Sequence, residues 1–183
     1  LTGGLVIGDV GPTRVEELDY HEAGAASGTN YGWNVHEGSE CFAGDAACCA
    51  DLFAMPLIEL EAFAPCSSIT AGPVYRGQCL PDLAGTWFWS DYCHDFVGTF
   101  KIEDSRATDR KDLTKALDPD HRKPIGVSSF GVAGFGEAYL LSHRRGLVYR
   151  LLGGQAPRLS AASPPCFRAF AIQESRPSPV SPR

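Results

Sequence analysis

The sequence lacks the features of several common protein classes. No apolar run approaches the ~20 residues that a membrane-spanning helix needs, and the first residues lack the charged and apolar segments of a secretory signal. Basic residues are outnumbered, since 16 Lys and Arg face 22 Asp and Glu for a net charge of −6. Without a basic stripe to neutralise phosphates we expect no nucleic-acid partner, and without an apolar span we expect no membrane-spanning segment.

Convincing helical patterns are missing too, whereas turn residues are abundant. The 183 residues include 20 Gly and 13 Pro, an excess that predicts tight turns and short elements. Short β-type runs recur between the turns, and none is followed by an amphipathic helix, which disfavours a parallel sheet. The sequence therefore predicts an all-β fold, with sandwich, barrel and propeller still open. The predicted strands are Leu5–Asp9, Val15–Tyr20, Gly32–Val35, Leu57–Phe63, Ile69–Tyr75, Thr86–Tyr92, Val97–Ile102, Val127–Phe130, Ala138–Ser142 and Leu147–Leu152.

Three segments fall outside this strand pattern. The polar stretch Glu103–Pro124 is typical of a long surface loop with at most one helical turn, near Leu113–Leu117. From Gln155 the chain is rich in Pro, Ser, Ala and Arg, a composition that cannot bury enough surface to offset its ordering entropy. We therefore expect an ordered domain over residues 1–152 and a disordered tail over 153–183. Because Leu1–Val10 leads directly into a strand, we expect a fragment or a processed chain.

The seven cysteines suit disulfides better than a metal site. Cys48 and Cys49 are adjacent, which disfavours chelation of one zinc ion by both. Cys41 and Cys48 bracket a short loop that a disulfide would stabilise, and Cys66 with Cys93 is the second pair that we expect. Buried free thiols in a reducing compartment are the alternative.

The densest group of chemically useful residues follows the first predicted strand. Gly11–Pro12 forms a tight turn whose carbonyls can point outward, because proline fixes φ and has no N–H. Ca²⁺ takes six to eight oxygen ligands and often combines backbone carbonyls with a carboxylate, so Gly11, Pro12 and Glu17 form a chemically sensible set. A hairpin turn with solvated acids is the alternative that composition favours.

Five motifs, in order and in register, resemble the glucose/sorbosone dehydrogenase family. These are the soluble sugar dehydrogenases that depend on pyrroloquinoline quinone (PQQ), together with the Hedgehog-interacting-protein-like branch. The resemblance covers Leu1–Leu152. The motifs are GDVGPTRVEELDY, NYGWNVHEG, CSSITAGPVYRG, LPDLAGTWFWSDYC and SSFGVAGFGEAYLLSHRRGLVYRL.

The resemblance implies a six-bladed β-propeller of four-stranded blades, of which this chain supplies about three C-terminal blades. A blade takes ~40 to 50 residues, so the length of the matching region agrees with that share. A half propeller cannot close its ring, and closure protects the strand edges of this architecture. We therefore expect the chain alone to expose apolar blade faces.

The resemblance also implies roles for individual residues. The carbonyls of Gly11 and Pro12 match those that hold the Ca²⁺ which polarises the quinone. Glu17 and Tyr31 match ligands of a second, structural Ca²⁺ site. Arg76 is a candidate to pair with the carboxylates of the cofactor, since guanidinium binds carboxylate in a bidentate manner.

The residues that the family uses for proton removal are not matched. Its general base is a His in an earlier blade, so we assign no catalytic residue to this chain. We expect the histidines to lie in loops or at the surface. They are His21, His36, His94, His121 and His143.

Two functions are therefore expected. The first is the C-terminal part of a quinoprotein that oxidises an aldose or sugar alcohol with PQQ and Ca²⁺ and passes electrons to an external acceptor. The second is a non-catalytic Hedgehog-interacting-protein-like propeller that binds a protein partner. The cysteine usage favours a secreted or periplasmic location for either.

Overall fold

A computed structural model describes residues 3–42, 53–63, 65–117 and 126–151. This part of the chain is all-β, as predicted, with a single turn of α-helix. The strands are β1 (Leu5–Asp9), β2 (Val15–His21), β3 (His36–Glu37), β4 (Glu40–Cys41), β5 (Ile58–Glu61), β6 (Ile69–Val74), β7 (Trp87–Asp91), β8 (Phe96–Glu103), β9 (Arg106–Asp112), β10 (Val127–Val132), β11 (Ala138–Ser142) and β12 (Leu147–Arg150), with α1 at Thr114–Leu117.

The strands form three successive sheets and one short hairpin. The first sheet has the order β1-β2-β5, the second β6-β7-β8-β9 and the third β10-β11-β12, while β3 and β4 pair with each other. All of these pairs are antiparallel. The expectation of no parallel sheet is therefore confirmed for the described residues.

The first strands of the three sheets lie side by side, β1 against β6 and β6 against β10. Glycine permits these close approaches. A Cβ added to Gly8 would lie 2.9 Å from the backbone nitrogen of Ala71, and one added to Gly72 would lie 3.0 Å from the ring of Phe130. The propeller prediction requires consecutive sheets that meet along their first strands, and these three sheets do so. The number of blades stays a prediction.

Apolar side chains fill the space between neighbouring sheets. Phe100 is fully buried at the centre of the cluster between the first and second sheets, and Phe88 is fully buried in the cluster between the second and third. The first cluster is completed by Val6, Leu18, Ile58, Ile69 and Trp89, and the second by Tyr75, Val97, Val127, Ala138, Leu140, Tyr149 and Leu151.

The prediction of a surface loop over Glu103–Pro124 is wrong in its first part, where β9 pairs with β8. Asp104 and Ser105 have φ of 49° and 57°, as a two-residue hairpin turn of type I′ demands. The strand was not apparent because it lies at the sheet edge with mostly exposed, charged residues, so it has no apolar alternation. The helical turn is confirmed as α1.

Two further expectations in the NYGW region are wrong. Gly32–Val35 is a turn rather than a strand, because Gly32 has a φ of 105° and its carbonyl accepts the N–H groups of Val35 and His36. His36 is not at the surface but 3% exposed, with its ring 5.0 Å from that of Phe53.

The disulfide between Cys66 and Cys93 is present as predicted and links the segment before β6 to the β7–β8 turn. Buried free thiols are therefore excluded for this pair. Cys41 is also disulfide-bonded, but Cys48, its expected partner, lies outside the described residues, as does the tail over 153–183.

Candidate metal centre

A row of carboxylates crosses one face of the first sheet. In the strand register Asp9 of β1 lies opposite Glu17 of β2, and Glu17 lies opposite Glu59 of β5. Asp19 lies on the same face as Glu17, because side chains alternate along a strand. Leu18 points the other way, into the core. Leu18 shares its mainly apolar face with the buried Glu16, whose Oε2 accepts the N–H of Ile69 at 2.9 Å, while the opposite face carries the acidic row.

Three of these carboxylates converge closely enough to share an ion. One carboxylate oxygen each from Asp9, Glu17 and Asp19 lies within 4.8 Å of the others. Glu17 is 7% exposed and Asp19 is 1% exposed. Glu17 Oε2 and both carboxylate oxygens of Asp19 are buried without a hydrogen-bond partner, and none of the three residues forms an ion pair within the described ranges.

The charges in this cluster are costly in the absence of a counter-ion. Burial, followed by the repulsion from Asp19 and Asp9, raises the pKa of Glu17 to about 7. Burial, followed by the repulsion from Asp9, likewise raises the pKa of Asp19 to about 7. Buried carboxylates of this kind are retained where they hold a proton or bind a cation.

Tyr31 lies close to the same cluster. Burial, together with the negative charge of Asp19, raises the pKa of the Tyr31 phenol. The hydroxyl of Tyr31 lies 3.5 Å from Nδ1 of His21, at the end of β2. Glu17 and Tyr31, predicted as ligands of one site, are therefore both close enough to Asp19 to be affected by its charge.

The Gly11–Pro12 turn begins two residues after Asp9 and is fixed by the buried carboxylate of Glu37. Glu37 Oε1 accepts hydrogen bonds from the backbone N–H groups of Thr13, Arg14 and Val15, at 2.8, 2.6 and 3.1 Å. Pro12 is exposed. The turn thus lies beside the acidic face and has a defined conformation.

The turn of the β3–β4 hairpin covers the acidic row. The backbone N–H of Gly38 offsets part of the rise in the pKa of Glu17, and both the N–H and the hydroxyl of Ser39 donate to Glu59. Gly38 has a φ of 63°, and a Cβ there would lie 2.5 Å from Glu59 Oε1. Glycine at this position therefore lets the hairpin adopt the left-handed conformation without backbone strain.

Arg76 lies apart from these residues, just beyond β6. Its side chain is exposed, and its N–H donates to the carbonyl of Gly136 between β10 and β11, at 3.3 Å. Within the described part of the chain its guanidinium forms no ion pair. The structure thus brings Gly11, Glu17 and Tyr31 into one region and places Arg76 against the third sheet.

Sequence reasoning missed Asp9, Asp19 and Glu37. A signal for the first two was present, because Asp9 ends one predicted strand and Asp19 follows Glu17 by two residues in the next. Whether Asp9 lies beside Glu17 depends on the register of the β1–β2 hairpin. Glu37 had no such signal, since it reaches the Gly11–Pro12 turn only after the chain folds back.

Comparison with known proteins agrees with this architecture. No family model matches the chain. Among solved structures, it superposes on a glucose dehydrogenase with a TM-score of 0.54 and 19% identity, over 76% of this chain and 38% of that one. A second glucose dehydrogenase gives a TM-score of 0.53 with 17% identity, over 76% and 37%. The soluble aldose sugar dehydrogenase of Escherichia coli, in its apo-form, gives 0.51 with 16% identity, over 76% and 38%.

The chain has a glucose/sorbosone dehydrogenase-like fold. The resemblance drawn from the five sequence motifs is thereby confirmed at the level of the fold. The chain spans less than two fifths of the length of each of these structures. At identities of 16 to 19%, the match concerns the fold alone.

Proposed function

We propose that this chain is the C-terminal part of a quinoprotein sugar dehydrogenase-like protein that uses PQQ and Ca²⁺. The observation that carries the proposal is the acidic cluster of Asp9, Glu17 and Asp19, within a fold shared with sugar dehydrogenases. It includes Glu17, which the motif resemblance implies as a calcium ligand. The complete protein is proposed to be a six-bladed propeller, with its last blades within residues 1–152.

The donor set of the cluster suits calcium. Ca²⁺ prefers oxygen ligands, and buried carboxylate oxygens without a partner supply them. Tyr31, which the motif resemblance implies as a ligand, is proposed to add its hydroxyl to the set, and the charge of Asp19 acts on it. A divalent cation would offset the burial and the repulsion that together raise the two carboxyl pKa values. We propose this ion as structural, and a second one on the carbonyls of Gly11 and Pro12.

The cofactor assignment rests on Arg76 and the Gly11–Pro12 turn. PQQ supplies a quinone that accepts a hydride from the sugar and later passes electrons to an external acceptor. Arg76 has an exposed guanidinium without an ion pair among the described residues, so it can pair with a cofactor carboxylate. No residue of this chain is proposed as the general base.

The proposed location is secreted or periplasmic, and the Cys66–Cys93 disulfide supports it, because disulfides persist in oxidising compartments. Among the described residues, no helix has the length and apolar character of a membrane span.

Cation and quinone binding by the purified chain test the proposal directly. Tb³⁺ serves as a luminescent probe of the calcium site, and calcium competes it off. We expect Glu17→Gln to weaken Tb³⁺ binding at least tenfold. The matched control is Glu61→Gln, which removes an exposed carboxylate from β5 in the same sheet, and it should change the affinity less than twofold. Equal binding by wild type and Glu17→Gln would refute the site.

Quinone binding separates the two expected functions. Titration with PQQ in saturating Ca²⁺, followed by tryptophan fluorescence, should give saturable quenching that Arg76→Ala weakens. The rate at which a dye is reduced in the presence of each of a panel of aldoses is then measured with the longest protein that the gene encodes. The absence of both quinone binding and turnover would refute the dehydrogenase proposal and leave the protein-binding propeller as the explanation.

A further inference from the structure

Glu37 joins the β3–β4 hairpin to the Gly11–Pro12 turn through four hydrogen bonds. Its Oε1 accepts three consecutive backbone N–H groups, those of residues 13 to 15, and its Oε2 accepts the hydroxyl of Thr13 at 3.1 Å. The Nε atom of Arg14 lies 3.8 Å from Oε2. A single carboxylate thus satisfies every N–H from the end of the turn to the start of β2.

The ionised form of Glu37 is the one that this site favours. Its side chain is 1% exposed. Burial alone would raise the pKa of Glu37, but the hydrogen bonds from the N–H groups of Arg14, Thr13 and Val15 outweigh it and lower the pKa. The charge is therefore compensated by backbone dipoles.

The packing leaves the turn little freedom once Glu37 is in place. A Cβ added to Gly11 would lie 2.7 Å from Glu37 Oε1 and 1.7 Å from the carbonyl oxygen of Val15. Only glycine fits between these atoms. The turn is therefore confined by the carboxylate of Glu37 and by the backbone of β2.

The same hairpin also reaches the acidic row. Ser39, two residues after Glu37, donates its N–H and its hydroxyl to Glu59, which lies opposite Glu17 in the sheet. Within this hairpin, Glu37 therefore holds the turn, whereas Ser39 contacts the acidic row at Glu59. A change at Glu37 should thus act on the turn and leave the acidic cluster in place.

We propose that Glu37 is a positioning residue that fixes the Gly11–Pro12 turn and, through it, sets the affinity for the quinone cofactor. The second part rests on the proposed function, in which the turn carbonyls hold the calcium of the cofactor. Glu37 touches neither group in this scheme and acts only through the backbone of the turn.

Amide hydrogen exchange on the full 183-residue chain tests the hold on the turn. We expect Glu37→Ala to speed exchange of the Thr13, Arg14 and Val15 amides at least tenfold, because each loses a charged acceptor. Glu37→Gln, which keeps an acceptor oxygen of the same shape, should give a smaller increase. Amides of the central strand β7 should not change in either variant. Unchanged exchange at residues 13 to 15 in both variants would overturn the inference.

Binding of PQQ in saturating Ca²⁺ tests the functional part. We expect Glu37→Gln to weaken PQQ about tenfold while Tb³⁺ binding at the acidic cluster stays within twofold of wild type. The control is Glu40→Gln, because Glu40 belongs to the same hairpin and pairs with Arg14 at 3.1 Å but is half-exposed and contacts no turn amide. PQQ binding by Glu37→Gln equal to that of wild type would overturn this part. Failure of the wild type to bind PQQ would refute the proposed function, while exchange at residues 13 to 15 would still decide whether Glu37 holds the turn.

Discussion

Replacement of Asp19 should be the most informative test of how the acidic cluster affects the free energy of unfolding. Its pKa rises from an ordinary 3.8 to about 7 in the folded protein, chiefly through burial and then through Asp9. Each pKa unit corresponds to about 1.4 kcal/mol, so ionisation of Asp19 lowers the free energy of unfolding of the metal-free protein by an amount on the order of 4 kcal/mol. A domain has only about 5 to 15 kcal/mol of stability, so this cost is large.

The pH dependence follows from the direction of that pKa change. Below pH 3.8 both the folded and the unfolded states hold the proton, so Asp19 costs nothing. Between pH 3.8 and about 7 the unfolded chain ionises while the folded one keeps its proton, and the free energy of unfolding falls as the pH rises. Above about 7 the loss is complete and constant. The metal-free protein should therefore lose stability between pH 4 and 7.

Asp19→Asn removes this titration while keeping the volume of the side chain. In urea titrations at pH 8 with a chelator, we expect the variant to unfold with a free energy about 2 to 4 kcal/mol above that of wild type, and this gain should vanish near pH 4. Added Ca²⁺ should raise the stability of wild type more than that of the variant. Asp82→Asn, at an exposed aspartate, is the control and should behave as wild type. A variant that is less stable than wild type at pH 8 in chelator would refute the reasoning.

Two further predictions concern the core and the disulfide. The double variant Cys66→Ala/Cys93→Ala removes only this disulfide, whose cysteines are 27 residues apart, and should lower the free energy of unfolding by about 3.5 kcal/mol through loop entropy. Equal urea midpoints for the variant and wild type would contradict this. Phe100→Ala should lower the free energy of unfolding by about 3 to 5 kcal/mol in the same assay, because Phe100 is fully buried. The control Phe135→Ala, at a side chain 84% exposed, should change it by no more than about 0.5 kcal/mol. Similar losses in both variants would show that the first core cluster is not close-packed.

Local signals predicted most of the strands. Leu5–Asp9 and Ala138–Ser142 have the predicted bounds because runs of apolar and β-branched residues stop at turn residues. The edge strand Arg106–Asp112 could not be found in this way. Its exposed, charged residues become a strand only because β8 offers a free edge to pair with.

Residue types and turn spacing were enough to predict an all-β fold, and the motifs indicated the family resemblance and the candidate calcium ligands Gly11, Pro12, Glu17 and Tyr31. Those conclusions rest on residue types and spacing along the chain, which are local. Which carboxylates meet at Glu17 depends on the folded sheet, because the β1–β2 register brings Asp9 beside it. Only the folded hairpin carries Glu37 to the Gly11–Pro12 turn, since contacts between residues distant in sequence depend on how the chain returns on itself.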